Sequence, residues 1–139
     1  MEFHYSAERN VQMVLYLLKA YNIKKVIASP GATNIAIVAS MQQDPYFEMY
    51  SCVDERSAAY MAVGMAEECN EPVVLSCTGA TSARNYMPGL TEAYYRKLPI
   101  IAITSTKDET QIGHLIAQVT DRTTKPKDII IDSVHIQNI

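Results

Sequence analysis

Val11, Val14, Leu15 and Leu18 recur at i, i+3, i+4 and i+7, which gives one apolar stripe on a helix. Ser6 stands where its cap belongs, so the helix is expected to start near Ala7. The run "KKVIAS" (24–29) is β-branched and ends at Pro30-Gly31, the pattern of a strand and a turn. A second helix is read at "NIAIVASMQQ" (34–43), and a second strand at "FEMYSCV" (47–53). From Glu55 to about Glu68 a third helix places Ala58, Ala62, Met65 and Ala66 on one face, so its backbone can approach its neighbour closely. "PVVLSC" (72–77) and "PIIAIT" (99–104) are apolar without alternation, which suits strands buried on both faces of a parallel sheet. Between them residues 82–96 read as helix, with Pro88 expected to kink or restart it. Beyond Thr104 the chain is polar and irregular through Lys127, and "DIIIDSVHI" (128–136) offers a last strand.

Strand and helix alternate with short links, and residues 1–139 carry no repeat, low-complexity run or interdomain linker. The reading is one α/β domain: a doubly wound, mainly parallel sheet with helices on both faces. Ligands of such sheets bind beyond the carboxyl ends of the strands. That rule selects residues 29–34, 53–57 and 78–85, and the stretch from Ser105 onward.

Composition narrows the classes. The chain is 48% hydrophobic and 19% charged, ordinary for a globular domain, and its formal net charge is -3. No basic stripe exists to neutralise phosphates, so nucleic acid is not an expected partner. No apolar run approaches the ~20 residues that span a bilayer, and no basic-then-apolar leader opens the chain. Cys52, Cys69 and Cys77 form no CxxC pair and are read as core thiols of a reduced, cytoplasmic protein. His4, His114 and His135 are scattered, so no metal site is expected in this chain.

Three segments carry candidate chemistry, and each has a plain structural reading beside it. "SPGATN" (29–34) is a Pro-Gly turn opening a helix whose free N–H groups can hold an anion or an amide; it is equally a βα turn capped by Thr33 or Asn34. "TGATSARN" (78–85) allows a flat ligand close to the backbone, or simply starts a capped helix. In "VDERSA" (53–58), Asp54 as N-cap with Glu55 in the first turn satisfies helix-dipole rules without any function.

Taken in order, "ASPGATN", "VDERSAAYMAVGMA", "PVVLSCTGATSARNYMPGLTEA", "LPIIAIT" and "HLIAQVTDRTTKPKD" resemble the pyrimidine-binding (PYR) domain of thiamine-diphosphate enzymes. The likeness is nearest to the SEPHCHC synthases of the menaquinone pathway and to the acetolactate synthases, and it covers nearly the whole chain.

The resemblance implies that Glu55 is the catalytic glutamate. In the family it hydrogen-bonds N1′ of the cofactor's aminopyrimidine and favours the 4′-imino tautomer that takes the C2 proton. It further implies cofactor contacts at Pro30, Gly31, Thr78, Gly79 and Asn85, and substrate contacts at Ala32, Thr33, Lys107 and Gln118. Gln118 resembles a glutamine that reaches the site from the loop after the fourth strand, and His114 lies i−4 from it.

Three departures stand out. Ala32 and Thr33 replace the Ser-Arg pair of the menaquinone enzymes, and Lys107 replaces an arginine, so bidentate carboxylate binding is lost there. Thr78-Gly79-Ala80 replaces the usual Thr-Ser-Gly. The family holds Mg²⁺ and the diphosphate through a Gly-Asp-Gly motif on a separate PP domain, and Gly-Asp-Gly is absent from this chain.

The expectation is half of an active site, either the N-terminal part of a longer enzyme or one subunit of a split one. It would be completed by a PP domain in the same chain or a partner, assembled as a homo-oligomer, and directed at decarboxylation of a 2-oxoacid with acyl transfer or carboligation. A non-catalytic PYR-like oligomerisation or regulatory module, and an α/β binder of some other anion, are the rival readings.

Overall fold

The protein was analysed as a computed structural model, which describes residues 5–79, 81–106, 109–117, 119 and 126–136. Helix α1 (Arg9–Ala20) leads into β1 (Lys25–Ala28), α2 (Ile35–Gln43), β2 (Glu48–Ser51), α3 (Glu55–Cys69) and β3 (Val73–Cys77). Then come α4 (Thr81–Asn85), α5 (Met87–Arg96), β4 (Ile100–Thr104) and a 3-10 turn at Glu109–Gln111.

The four strands form one parallel sheet in the order β2-β1-β3-β4. Strand alternation splits the core in two. Val26, Ala28 and Val74 face α1 and α2, meeting Val11, Leu15, Leu18 and Met41. Ile27, Val73, Leu75 and Cys77 face the other way, against Ala58, Ala59, Ala62 and Ala66 of α3. Every residue of β3 is buried, as expected of a central strand covered on both faces.

The alanine face of α3 does what its sequence promised. A Cβ added to Gly89 of α5 would lie 2.5 Å from the Ala59 Cβ and 3.0 Å from its backbone carbonyl carbon. Both helices run back from the carboxyl edge of the sheet, so they lie side by side and parallel, in near-backbone contact at Ala59 and Gly89.

Several expectations are corrected. No strand forms at 128–136: among the described residues there, Ile131 is 89% and Val134 76% exposed, and β4 pairs only with β3. A β-branched run alone does not hold a strand that pairs with no neighbour. Helix α1 starts at Arg9 rather than Ala7: the Ser6 hydroxyl accepts from the Glu8 amide as a cap would, but Glu8 itself stays extended, so helical backbone begins only after it. The restart expected at Pro88 does occur: the run read at 82–96 is two helices, and Pro88 sits in the first turn of α5, where a missing N–H costs nothing. Cys77 is buried and Cys52 half-buried, but Cys69 is exposed, because the left-handed Asn70 cap ends α3 and turns the chain outward there.

The N-terminal segment is tied down by Asp44. Its carboxylate pairs with Lys19 and accepts from the Tyr5 hydroxyl at 2.9 Å and the Tyr46 amide at 3.0 Å. Burial pushes the Asp44 carboxyl up, but these three partners together outweigh it and hold the group below the ordinary carboxylate value. A pocket of about 280 Å³ lies between the Tyr5–Ser6 segment and Gln12, Tyr16 and Lys19 of α1. None of its lining residues belongs to the loops at the carboxyl ends of the strands.

Candidate active site

In this strand order the chain leaves β1 toward β2 on one side and crosses to β3 on the other, so the switch point lies between the carboxyl ends of β1 and β3. Ser29 and Thr78 follow those two ends, and the backbone draws them together: the Ser29 amide donates to the Ser76 carbonyl at 2.8 Å.

Asn34, only 1% exposed, pins the crevice. Its Oδ1 accepts from the Gly31 amide at 2.8 Å, and its Nδ2 donates to the Ser29 carbonyl at 3.3 Å and to Ser76 Oγ at 3.2 Å. The sequence suggests Asn34 or Thr33 as a helix cap; Asn34 does stand at the N-cap of α2, but its side chain makes no cap hydrogen bond. Asn34 instead closes the Pro-Gly loop on itself and onto β3, which spacing along the chain gives no means to see.

The other loops join the same edge. Ser29 Oγ donates to the Cys52 carbonyl at 2.7 Å, and the Ser105 amide donates to the Cys77 carbonyl at 3.2 Å. Thr33 Oγ1 and Ser105 Oγ share a hydrogen at 2.6 Å. A Cβ on Gly31 would collide with the Thr78 methyl, so the Pro-Gly loop and the loop after β3 are in direct contact. Thr78 Oγ1 in turn meets Ser82 Oγ at 2.9 Å. The four segments selected from the sequence do converge.

The individual candidates separate. Gly31, Thr78 and Gly79 are half-buried in the crevice, Pro30 and Ala32 are exposed on its rim, and Thr33 is spent on Ser105. Asn85 is exposed and turns its amide back onto the Thr81 carbonyl of its own helix at 3.3 Å. Lys107 and Gln118 lie outside the described residues, as does Ala80.

Asp54 and Glu55 divide the work at the mouth of α3. Asp54 is the cap: its Oδ2 accepts from the Ser57 hydroxyl at 2.6 Å and the Ser57 amide at 2.8 Å, and the hydroxyl bond is the largest of the influences that lower its carboxyl. Glu55 opens the helix one turn before Ala58 and Ala59, so it shares their buried face and is itself half-buried. Its carboxylate has no hydrogen-bond or ion-pair partner among the described residues.

Tyr86 lies deeper and was not singled out by the sequence. It is the largest fully buried side chain of the described residues, and its Oη makes no hydrogen bond. Burial raises its phenol well above the ordinary value; Cys77 and the Glu55 charge raise it further, and the Ser29 hydroxyl opposes them.

This arrangement sets two glycine-containing loops and one carboxylate without a partner among the described residues along the same edge of the sheet, where a flat polar ligand could lie against them. The sequence profile described as "Thiamine pyrophosphate enzyme, N-terminal TPP binding domain" matches residues 9–128.

The chain belongs to that family.

It is 33% identical over 135 residues to the 2-succinyl-5-enolpyruvyl-6-hydroxy-3-cyclohexene-1-carboxylate synthase of Bacteroides thetaiotaomicron, covering 97% of this chain and 24% of the relative. To the enzyme of the same name from Porphyromonas gingivalis it is 37% identical over 107 residues, covering 77% of this chain and 18% of the relative. This domain therefore spans about a quarter or less of these relatives' length. Its fold superposes on a Rhodococcus jostii RHA1 thiamine diphosphate-dependent 4-hydroxybenzoylformate decarboxylase with a TM-score of 0.72, at 19% identity over 81% of this chain and 21% of that one. The parallel sheet with helices on both faces is the fold of this family's TPP-binding domain. No helix among the described residues is long and apolar enough to cross a membrane.

Proposed function

We propose that this domain is the pyrimidine-binding half of a thiamine-diphosphate-dependent enzyme acting on a 2-oxoacid, and that Glu55 is its activating acid. The observation that carries the reading is the unpartnered, half-buried Glu55 carboxylate on the alanine face of α3, at the ligand-binding edge of the sheet. Partly exposed at that edge and engaged by no other described residue, the carboxylate is open to a ligand.

The residues present fit the cofactor's pyrimidine end. The Pro30-Gly31 and Thr78-Gly79 loops would lie against the ring, and their close packing through Gly31 keeps the crevice narrow. Glu55 would hold a proton at a ring nitrogen, with Asp54 fixing the helix mouth behind it. Bound thiamine diphosphate supplies the electron sink for decarboxylating a 2-oxoacid and passing on its acyl fragment. Arg56 and Arg84 stand exposed at the same edge without ion pairs among the described residues, and offer positive charge to an acidic substrate.

The diphosphate and its Mg²⁺ would be held by a PP domain, from a continuation of this chain or from a partner, within a homo-oligomer. Support comes from the coverage of the relatives and from the absence of Gly-Asp-Gly in the sequence.

The test is hydrogen–deuterium exchange at C2 of the cofactor, followed by NMR in the enzyme assembled with a PP domain. Glu55→Gln keeps the shape and is expected to slow exchange by about 100-fold or more. Exchange at the parental rate would remove Glu55 from catalysis.

A further inference from the structure

Helix α1 is apolar on two sides. Val11, Leu15 and Leu18 face the sheet, as in any packed amphipathic helix. The far side of such a helix is ordinarily polar, yet Met13, Tyr16, Leu17 and Ala20 recur there at i, i+3, i+4 and i+7. All four are exposed, and Tyr21 extends the run at the cap. The other surface helices differ: α3 turns Glu67 and Glu68 to solvent, and α5 turns Glu92 and Arg96. Helix α1 contains no acidic residue, Lys19 is drawn aside to Asp44, and Arg9 stands at the amino end of the stripe.

A helix that is apolar on both sides is one covered on both. Tyr16 and Tyr21 are 72% and 74% exposed, so these two side chains alone leave roughly 300 Å² open. With Met13, Leu17 and Ala20 the patch reaches about 500 Å², more than scattered surface apolar residues make. Covered on two molecules at once, it removes about 1,000 Å² from water, the size at which specific interfaces begin.

We propose that this face of α1 is where two copies of the chain meet, antiparallel, across a two-fold axis between Tyr16 and Leu17. The spacing is self-complementary about that point, because Met13 lies as far before it as Ala20 lies after it. Met13 of one copy packs into the space over Ala20 of the other, while Tyr16 and Leu17 meet their own counterparts near the axis. Arg9 falls beyond the end of the facing helix, so no charge is buried. A face without charge has nothing to repel its own copy, and little to attract a nucleic acid or an anionic lipid. The contact goes beyond the role proposed for Glu55 and does not rest on it. Helices α1 and α3 lie on opposite faces of the sheet, so pairing through α1 leaves the Glu55 edge open.

Sedimentation velocity of the 139-residue chain tests this over a range of about 10–500 μM. A dimer is expected to form from the 15.5 kDa monomer as concentration rises through that range. Tyr16 is exposed, so replacing it leaves the core intact. Tyr16→Glu and Tyr16→Lys each set like charges together at the axis, and each is expected to weaken the dimer by about tenfold or more. Mixed one to one, the two variants oppose unlike charges and should form a heterodimer at least about fivefold tighter than either alone. A chain that stays monomeric throughout, or variants that dimerise as well as the parent, overturns the proposal. So does a mixture no tighter than its parts, which places Tyr16 away from any two-fold axis. Binding of a strictly monomeric chain to anionic vesicles would give the face to a lipid surface and overturn it equally. A failed C2-exchange test would leave this contact standing, and a monomeric chain would leave the catalytic reading of Glu55 standing.

Discussion

Gly31 packs its bare Cα against the Thr78 methyl, so the loop after β1 and the loop after β3 meet where any other residue at 31 would collide. This contact sets the width of the crevice at the switch point. Gly31→Ala is expected to force the Thr78 side chain to rotate, breaking its link to Ser82, and to cost about 1–2 kcal/mol. Thr78→Ser removes the methyl while keeping the hydroxyl. Combined with Gly31→Ala it should restore most of the loss, as a double-mutant cycle by urea denaturation would show. Strict additivity of the two changes would mean that the loops do not press on each other.

Asn34 holds the same crevice through three hydrogen bonds. Asn34→Ala leaves the Gly31 amide and the Ser29 carbonyl without this partner, at a cost of about 2–3 kcal/mol. Asn34→Asp keeps the acceptor for Gly31 but sets oxygen against the Ser29 carbonyl, so it should be no better tolerated. Equal midpoints for wild type and both variants in denaturant would contradict the assignment.

Gly89 tests the α3–α5 approach. Gly89→Ala puts a methyl against Ala59, including its backbone, which cannot swing away as a side-chain tip can. A loss of about 1–3 kcal/mol is expected, with a lower Tm in calorimetry. Gly64, on the exposed side of α3, has open space around its Cα, so Gly64→Ala should stabilise by about 0.5–1 kcal/mol.

Asp44 predicts how the fold responds to acid. Its folded carboxyl titrates below the ordinary value of 3.8, so its contribution is fully present above that value and is lost as pH falls through the lower folded one. Stability measured from pH 5 downward should therefore fall more steeply in wild type than in Asp44→Asn. Parallel curves for the two proteins would show that the Lys19 pair adds nothing pH-dependent.

Catalytically, the 139-residue chain supplied with thiamine diphosphate and Mg²⁺ is expected not to turn over a 2-oxoacid, whereas adding a PP domain should confer activity. Carbon dioxide release coupled to an indicator enzyme measures both. Sustained turnover by the purified chain alone would overturn the half-site reading.

The alternation of β-branched runs with amphipathic and alanine-rich segments determined the layered α/β architecture, because a strand's period and a helix's stripe are local properties of the chain. Val11, Leu15 and Leu18 declared the buried face of α1, and Asp54 declared the cap of α3, since both depend on neighbours within one or two turns. The ordered motifs likewise carried the family. What they left open was decided by contacts between distant segments. The run at 128–136 is β-branched enough to read as a strand, yet whether it pairs depends on an edge elsewhere in the molecule. Asn34 stands at the cap of α2 as read, but β3 takes its side-chain amide, and Asn85 reads as a ligand until α4 turns it back on Thr81. Tyr86 looked like one more residue of a helical run. Only the closeness of α5 to α3, set by Gly89 on Ala59, buries it in the alanine layer, and no spacing along the chain encodes a distance across a helix interface.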